Sequence, residues 1–428
     1  MRQQLSYGRK SPLDNQLADL MAQNWNKISQ APPEPMEMIA VDGSQALRPF
    51  ANGCSLYVAR ALALYGQQRF RELEVDAFFS REKMSDVRTF VTRKMEWMEV
   101  NVARKALVEG NLRDIPLLID GSLYGRSMHL PRDTAAEGHR GFMLRYFEDL
   151  SAFLQECRSR HVTPIGVSKD SRVSHLRNYF LSLVLSNELE MLGASVEHED
   201  RKRMVEIYDH IRDRPAQSMR AFHELREKYG DFLDRVQEIL NEAYACRPDF
   251  QMIKNFVNNA GYSDPLELGP QPRSMRMLNE IRRDPWHYAE RNFKKAVTEA
   301  ENEVDFLSHA VDVLIGIQSL PTMVSFYVLL DPRDTPLRVD TPPWTFGLDH
   351  SLTDLKGTRQ LDVDVSRIVA VLQSGYAGLM DYNIFLKKVD EEVRLTRGTM
   401  DELYTSALEK ALSLTVIHSR GYRRVKYP

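Results

Sequence analysis

The feature that most restricts the fold of this chain is a pair of apolar runs, each of which ends in the tripeptide Asp-Gly-Ser. The first run, IAV, leads to Asp42, and the second, LLI, leads to Asp120. Short apolar runs that stop at a turn residue are typical of strands buried inside a sheet. Such a strand holds a carboxylate rigidly at its end, and the following glycine lets backbone or a ligand approach closely.

Strand and helix patterns alternate around these two runs. Residues 54–65 suit a strand, although their alanine-rich part, 59–64, equally suits a helix. Between 85 and 109, apolar residues recur every three or four positions, which predicts an amphipathic helix. This alternation predicts an α/β protein with a mixed sheet flanked by helices. The other elements predicted in this part are a polar helix ahead of Pro32, a strand at 70–79, a helix at about 141–160 and a strand at 162–168.

The middle of the chain has a different character. From about residue 173 to 318, long charged segments with helical spacing dominate, and no convincing two-residue alternation interrupts them. We therefore expect a large helical insertion, with the chain divided into residues 1–175, 176–318 and 319–428. After the insertion, the patterns predict strands at 323–331 and 336–340, then helices at about 365–374, 378–395 and 400–413.

Composition places the chain in a broad class and leaves its function open. The 428 residues are 43% hydrophobic and 27% charged, as in globular proteins with a sizeable core. No uncharged apolar run approaches 18 residues, and the N-terminus lacks the apolar stretch of a signal peptide. The 3 scattered cysteines form neither a disulfide framework nor a zinc set, so we expect a cytoplasmic protein. A net charge of −3 neither favours nor excludes nucleic acid as a partner.

Carboxylates carry the predicted chemistry. If the two apolar strands lie side by side, Asp42 and Asp120 come together and form a site for a hard divalent cation. The alternative is that each aspartate only opens a turn, since Asp-Gly is a common turn signal. Glu99 lies on the apolar stripe of the predicted helix and would be a third ligand, unless the register turns it to solvent. Glu96 lies nearer the edge of that stripe and has the weaker claim.

A lysine follows the third buried strand. Lys169 comes directly after the run VTPIGVS, in a position equivalent to that of the two aspartates. A lysine there would contact the scissile phosphate of a substrate or stabilise charge in the transition state. The alternative is an ordinary surface lysine at the start of a helix.

Taken in order, these motifs resemble the NurA family of nucleases. The resemblance rests on VDGS near the N-terminus, a helix that carries a glutamate, LLIDGSL, and then PIGVSKDSR. Later blocks of the family are similar to LRVD at 337–340 and SGYAGLMDYN at 374–383. The resemblance covers the first 175 residues and about 320–395, and leaves out the helical middle.

The resemblance implies a ribonuclease H-like core, a manganese- or magnesium-dependent deoxyribonuclease, a homodimer, and a HerA-type hexameric ATPase as partner. By position, Asp42, Glu99 and Asp120 would be metal ligands, Lys169 would assist at the phosphate, and Tyr376 would line the active site. The chain departs from the family where a histidine usually follows that tyrosine by some eight residues. Either Asp381 or Asn383 supplies an oxygen ligand instead, or the site is weakened; His350 is a distant candidate.

These expectations combine into a metal-dependent nuclease that processes DNA ends with a HerA-type translocase, in repair or in anti-phage defence. Two alternatives stay open: a catalytically silent scaffold that regulates such an ATPase, and a different enzyme, such as a ribonuclease, on the same core. The sequence holds no GxxxxGK[ST] loop, so nucleotide hydrolysis would belong to a partner. The expected DNA contacts, whose alternative is a solvated charged surface, are Arg126, Lys169, Arg172, the basic run 201–203, and the tail residues Arg420, Arg423, Arg424 and Lys426.

Overall fold

The computed structural model of the chain describes residues 11–29, 34–396 and 398–413. Its strands are β1 (Trp25–Lys27), β2 (Ile39–Pro49), β3 (Cys54–Tyr65), β4 (Gln68–Phe79), β5 (Pro116–Asp120), β6 (Thr163–Ser168), β7 (Gly261–Ser263), β8 (Leu266–Leu268), β9 (Met323–Leu329), β10 (Leu337–Thr341) and β11 (Thr358–Gln360). The basic tail and the N-terminal residues before position 11 lie outside the described residues.

The helices are α1 (Asp14–Gln23), α2 (Met84–Glu109), α3 (Leu123–Ser127), α4 (Phe142–Ser159), α5 (His175–Leu192), α6 (His198–His210), α7 (Pro215–Tyr229), α8 (Asp234–Ala245), α9 (Asp249–Phe256), α10 (Pro272–Arg283), α11 (Pro285–Asn292), α12 (Lys294–Glu299), α13 (Glu303–Ile317), α14 (Ser366–Gly375), α15 (Ile384–Val393) and α16 (Ser406–Leu412). A π-helical turn at Thr399–Thr405 precedes α16. Within the described ranges, no helix combines the length and the apolar character needed to cross a membrane.

The strands form one mixed sheet, as the sequence predicts. Its main order is β1-β7-β9-β10-β6-β5-β2-β3-β4, with β8 and β11 joined to β9 as a branch. β2, β3 and β4 form an antiparallel meander, whereas β2, β5 and β6 run parallel to one another. The two Asp-Gly-Ser strands are therefore direct neighbours. β5 ends at Asp120, whereas β2 continues beyond Asp42 to Pro49.

The alanine-rich part of residues 54–65 is strand rather than helix. β3 pairs with β2 on one side and β4 on the other over nearly its whole length. Both of its faces are buried: Ala59, Ala61 and Ala63 pack against the cluster that includes α2, and Leu62 and Leu64 pack against the opposite cluster. A strand that is covered on both faces carries apolar residues at successive positions and shows no polar alternation. The sequence of residues 59–64 therefore suits a strand and a helix equally.

Helices cover both faces of the central strands. Helix α2 packs on the face formed by Ile39, Val41, Leu117 and Ile119, and the helices of the middle segment extend the same cluster. Helices α14 and α15 cover the other face, against Ala40, Leu118 and Ile165. Successive residues of a strand point to opposite faces, so this alternation assigns Asp42 in β2 and Asp120 in β5 each to one face.

The structure differs from the sequence-based expectations in four places. The first Asp-Gly-Ser does not end its strand, because residues 43–49 continue β2 by pairing with β3. The middle segment contains β7 and β8, so the expectation of no strand there is wrong; strands of three residues are too short to show alternation. The first helix ends at Gln23, because Trp25–Lys27 pairs with β7 instead of continuing it. Helix α15 begins at Ile384 rather than 378, because a turn built on Gly378, with φ of +107°, precedes it.

Candidate active site

Asp42 and Asp120 lie side by side on adjacent parallel strands, Asp42 within β2 and Asp120 as the last residue of β5. The register pairs Val41 with Ile119, so the aspartates follow that pair in both strands. By strand alternation both carboxylates point to the face shared by Ala40 and Leu118, the face covered by α15. Asp42 is only 7% exposed, whereas Asp120 is partly exposed. The structure thus brings the two sequence-predicted aspartates together.

Glu99 approaches the aspartates from the opposite face of the sheet. It belongs to α2 and is buried, with 1% of its surface exposed. The Glu99 side chain lies directly over Gly43. A Cβ at position 43 would lie 2.5 Å from Glu99 Oε1 and 2.8 Å from Met95 Cγ. The glycine after Asp42 therefore provides the space that a third carboxylate needs.

The three carboxylates repel one another. The pKa of Asp42 is raised to about 8, first by burial and then by the negative charges of Asp120 and Glu99. The pKa of Glu99 is raised to about 7, mainly by burial, with further contributions from Glu96 and Asp120 that Arg126 opposes. Within the described part of the chain, the charged groups that shift the pKa of Asp42 are all carboxylates. Such a cluster favours a bound cation.

Two cations of the chain contact this cluster. Lys169 Nζ lies 2.9 Å from Asp120 Oδ2 at the open edge of the sheet. Arg126 is 3% exposed, forms an ion pair with Glu99, and donates to the backbone oxygens of Glu96 and Asp120, both at 3.0 Å. Arg126 therefore lies beneath the carboxylates rather than on a surface that DNA can reach. Arg172, in contrast, is exposed in the loop after β6.

The donor set fits a hard divalent cation by its chemistry. Mn²⁺ and Mg²⁺ take oxygen ligands, and Asp42, Glu99 and Asp120 offer carboxylate oxygens from three different elements. Among the residues that the structure describes, however, no three Asp, Glu, His or Cys side chains stand in an arrangement ready to hold an ion. The ion pairs account for this, since Glu99 is turned to Arg126 and Asp120 to Lys169.

Tyr382 belongs to the site, although sequence reasoning passed it over. Its ring centroid lies 4.9 Å from Lys169 Nζ, a cation–π distance. The pKa of its hydroxyl is raised, first by burial and then by Asp120, with Asp42 contributing as well, while Lys169 opposes the rise. The sequence did point to Tyr382, because this residue lies in the same family motif as Tyr376, at 374–383. The helix predicted from residue 378 hid the turn that brings it to the carboxylates.

Tyr376 has charged neighbours in the loop between β9 and β10. Burial raises the pKa of Tyr376, Asp331 and Asp334 raise it further, and Arg333 opposes the rise. Asp381 pairs with Lys387 across 2.6 Å.

The other two candidates for the role of the missing family histidine, Asn383 and His350, have local partners. Asn383 is fully buried and caps helix α15, accepting hydrogen bonds from the amides of Phe385 (3.1 Å) and Leu386 (3.0 Å). His350 lies against the buried carboxylate of Glu267, with 3.0 Å between Nδ1 and Oε1, and beside Arg359.

The basic run 201–203 is paired within the helical middle. Lys202 contacts Glu199 across 2.9 Å, and Arg203 forms an ion pair with Glu224. Arg201 donates to the backbone oxygen of Leu189. These partners show a charged helical surface that is largely satisfied within the chain.

The serine of each Asp-Gly-Ser motif ties its aspartate to another part of the fold by a hydrogen bond. Ser122 caps α3 by accepting from the amide of Gly125 at 2.8 Å, and its Oγ donates to Asp340 at 2.5 Å. Asp340 is fully buried and also pairs with Arg338 at 2.8 Å. Ser44 accepts from the amide of Leu395, just beyond α15, at 2.9 Å. Both carboxylates are thereby held by bonds that reach other parts of the sheet and its covering helices.

Fold and site together define a mixed α/β protein with a carboxylate cluster on two adjacent parallel strands and the helix packed against them. A family model described as the NurA domain matches residues 36–395. The chain belongs to the NurA family, because this match spans most of its length.

The chain is also similar to solved structures. The NurA nuclease from Sulfolobus solfataricus is 14% identical, with 94% of this chain and 91% of that chain covered and a TM-score of 0.51, which shows a shared fold. A second NurA crystal structure is 13% identical, with 93% and 95% covered and a TM-score of 0.42. A NurA structure with manganese is 13% identical, with 94% of each chain covered and a TM-score of 0.42. Comparison with curated proteins gave no match.

Proposed function

We propose that this protein is a divalent-metal-dependent nuclease that hydrolyses DNA phosphodiester bonds. The observation that carries the proposal is the pairing of Asp42 and Asp120 on adjacent parallel strands, with Glu99 reaching them over Gly43. These three residues would hold Mn²⁺ or Mg²⁺. Membership of the NurA family supports the same class of activity, as does the shared fold with a relative that is called a nuclease.

Several residues of the chain would each have a separate role in hydrolysis at the scissile phosphate. A bound divalent ion supplies Lewis-acid chemistry, which lowers the pKa of water and offsets negative charge. Lys169, at the open edge beside Asp120, would donate to a non-bridging phosphate oxygen. Tyr382 would hold the Lys169 ammonium over its ring and aim it at that oxygen. Arg126 would keep Glu99 ionised and correctly placed from below.

We propose further that the core is of the ribonuclease H-like type. The strand order β4-β3-β2-β5-β6 supports this, with an antiparallel meander followed by two strands parallel to β2. Carboxylates on adjacent central strands of such a sheet suit phosphodiester hydrolysis. Because one fold hosts many activities, the choice of DNA over RNA rests on the family and needs its own test.

The proposed partners are DNA, a second copy of the chain, and a HerA-type hexameric ATPase. The sequence has no GxxxxGK[ST] loop, so movement along DNA would require a separate motor. We propose end processing in repair or in anti-phage defence as the setting, in the cytoplasm.

Digestion of end-labelled linear DNA with Mn²⁺ tests the proposal. Wild type should cleave DNA, and Asp42→Asn and Asp120→Asn should each abolish cleavage, while Asp362→Asn, an exposed aspartate elsewhere, should cleave normally. Labelled RNA of the same sequence tests the substrate class. Folded wild-type protein that cleaves neither, alone or with the ATPase, would contradict the nuclease and favour the silent scaffold.

A further inference from the structure

The end of the helical middle carries more positive than negative charge. Residues 272–295, which form α10 and α11 and begin α12, contain 7 Arg or Lys and 3 Asp or Glu. The whole chain, in contrast, has 57 basic and 60 acidic residues. A local excess of basic residues in a slightly acidic chain indicates a surface for an anionic partner.

The cations of α10 share one side of the helix. Arg273 and Glu280 are seven positions apart, and Arg283 follows Glu280 by three, so all three lie on one face. Glu280 forms an ion pair with Arg291 of α11, which offsets its negative charge. Arg273 and Arg283 are exposed, and neither has a carboxylate within ion-pair distance among the residues that the structure describes. Their positive charge is therefore open to a ligand.

Helices α10 and α11 meet at a cleft of about 330 Å³, whose lining includes Arg283 and Tyr288. Burial raises the pKa of the Tyr288 hydroxyl to about 12. Arg291, Arg132 and Arg273 oppose this rise in pKa, so their guanidinium groups lie near one hydroxyl. That hydroxyl donates to the backbone oxygen of the residue before Arg132 at 3.2 Å, which holds the loop of Arg132 against the cleft. Four arginines from three parts of the chain thus gather at the cleft.

The carboxylates that line the cleft have local partners. Asp284 caps α11, where it accepts from the amide of His287 at 2.9 Å. Glu280 is paired with Arg291. Since four guanidinium groups gather beside these two carboxylates, the cleft keeps a net positive charge.

Short pieces of chain join the cleft to the carboxylate site. Arg172, exposed in the loop after β6, is three residues before His175, whose ring centroid lies 5.3 Å from that of Tyr124. The Tyr124 hydroxyl donates to the Gly269 oxygen at 2.8 Å, and Arg273 is four residues further along the chain. Segments of three and four residues span at most about 11 and 14 Å. A duplex of about 20 base pairs, about 68 Å long, therefore exceeds the separation between Arg172 and Arg273.

We propose that the cleft between α10 and α11 is a second DNA-binding surface, which holds the phosphate backbone of the substrate away from the carboxylates. The inference rests on the proposed nuclease function. Arginine suits this role, because its guanidinium group stays charged and matches the geometry of phosphate oxygens. Such contacts position a nucleic acid without reading its sequence. DNA is favoured over an acidic protein, because Arg172 extends the positive charge toward the carboxylate site.

Binding of a labelled duplex of about 30 base pairs in EDTA tests the proposal without cleavage. Arg273→Gln/Arg283→Gln should bind about tenfold more weakly than wild type at low salt. The slope of log K against log salt should become shallower by about 1.8, the value expected for two lost phosphate contacts. Fluorescence anisotropy measures both quantities, and both positions are exposed, so we expect the variant to fold.

Arg226→Gln/Arg235→Gln is the matched control. It removes the same charge from the helical middle, at positions where Arg226 pairs with Asp234 and Arg235 pairs with Glu238. This variant should bind DNA as wild type does. Equal weakening in both double variants, or wild-type binding by both, would overturn the proposal.

Cleavage with Mn²⁺ gives a second reading. Arg273→Gln/Arg283→Gln should raise KM for the long duplex about tenfold and keep kcat within about twofold, because the cleft lies outside the carboxylate site. A fall in kcat at unchanged KM would contradict a binding role. If wild type cleaves no DNA, the nuclease proposal fails, and the binding assay still decides the role of the cleft. Unchanged DNA binding with weakened binding of a HerA-type ATPase would assign the cleft to a protein partner and overturn the proposal.

Discussion

Glu99 occupies the space that a side chain at Gly43 would fill. A Cβ there would lie 2.5 Å from Glu99 Oε1 and 2.9 Å from Glu99 Cγ. The helix that holds Glu99 can therefore approach the strand that holds Asp42 only because position 43 has no side chain. The Asp-Gly-Ser motif thus combines a carboxylate, a gap for a second carboxylate, and an anchor in Ser44.

Gly43→Ala should displace Glu99 and damage the site. We expect the free energy of unfolding to fall by about 1–3 kcal/mol, as for other overpacked cores, and Mn²⁺-dependent cleavage to be lost. Chemical denaturation and the DNA digestion assay measure the two effects. Gly316→Ala is the control, because a Cβ at Gly316 on α13 meets nothing within 4 Å. It should gain about 0.4–1 kcal/mol in stability. Equal behaviour of the two variants would contradict the role of Gly43.

The repulsion at Asp42 should make stability depend on pH. Its folded-state pKa of about 8 exceeds the ordinary value of 3.8, so the folded protein binds more protons than the unfolded chain between these values. Without a divalent cation, the free energy of unfolding should therefore fall as pH rises from about 4 to about 8. Asp42→Asn should reduce this fall by about 2 kcal/mol or more. Urea denaturation in EDTA at pH 5 and pH 8 measures it, and identical slopes for both proteins would refute the prediction.

Substitutions at Arg126 and Arg172 should change different properties: the first should lower stability, and the second should weaken DNA binding. Arg126→Met leaves Glu99 buried without its partner, so we expect a loss of about 3–5 kcal/mol in the free energy of unfolding. Arg172→Ala, at an exposed position, should leave stability within about 0.5 kcal/mol of wild type. It should instead weaken DNA binding at low salt and reduce the salt dependence. Denaturation and fluorescence-based DNA titrations separate the two. An Arg126 variant of normal stability would contradict the buried ion pair.

Tyr382 should act through its ring on Lys169. Tyr382→Phe keeps the cation–π contact and should retain most activity, whereas Tyr382→Leu removes it and should lower kcat about tenfold, or about 1.4 kcal/mol. A purely structural role would lower the melting temperature of the leucine variant and leave the activity of the folded fraction unchanged. Tyr244→Leu, at a position 56% exposed on α8 in the helical middle, is the comparison and should not change kcat.

The sequence predicts the carboxylates better than the groups around them. Asp42 and Asp120 follow short apolar runs, and such runs leave few alternatives to a buried strand. Glu99 follows from helical spacing on α2. Arg126 could not be assigned in the same way, because its partner lies 27 positions away and its burial depends on packing between elements.

The turn before α15 shows the same limit. Its apolar residues fit a helical pattern as well as an exposed turn, and the choice is made by Gly378 at positive φ and by the cap at Asn383. The sequence does not predict strands β7 and β8, because a strand of three residues is too short to show a two-residue alternation. These strands are defined by their pairing with β1, β9 and β11, which lie far away in the sequence. The local sequence pattern thus predicts the strands that carry Asp42 and Asp120. Tertiary contacts decide which side chains surround these two aspartates.

Calorimetric titration with Mn²⁺ in the absence of DNA tests most directly whether Asp42 and Asp120 form the metal centre. Wild type should bind the ion, and Asp42→Asn and Asp120→Asn should each weaken binding by about tenfold or more, since each removes a charged oxygen ligand. Asp362→Asn should bind as wild type does. Equal Mn²⁺ affinity in all four proteins, or no binding by folded wild type, would contradict the assignment of this site.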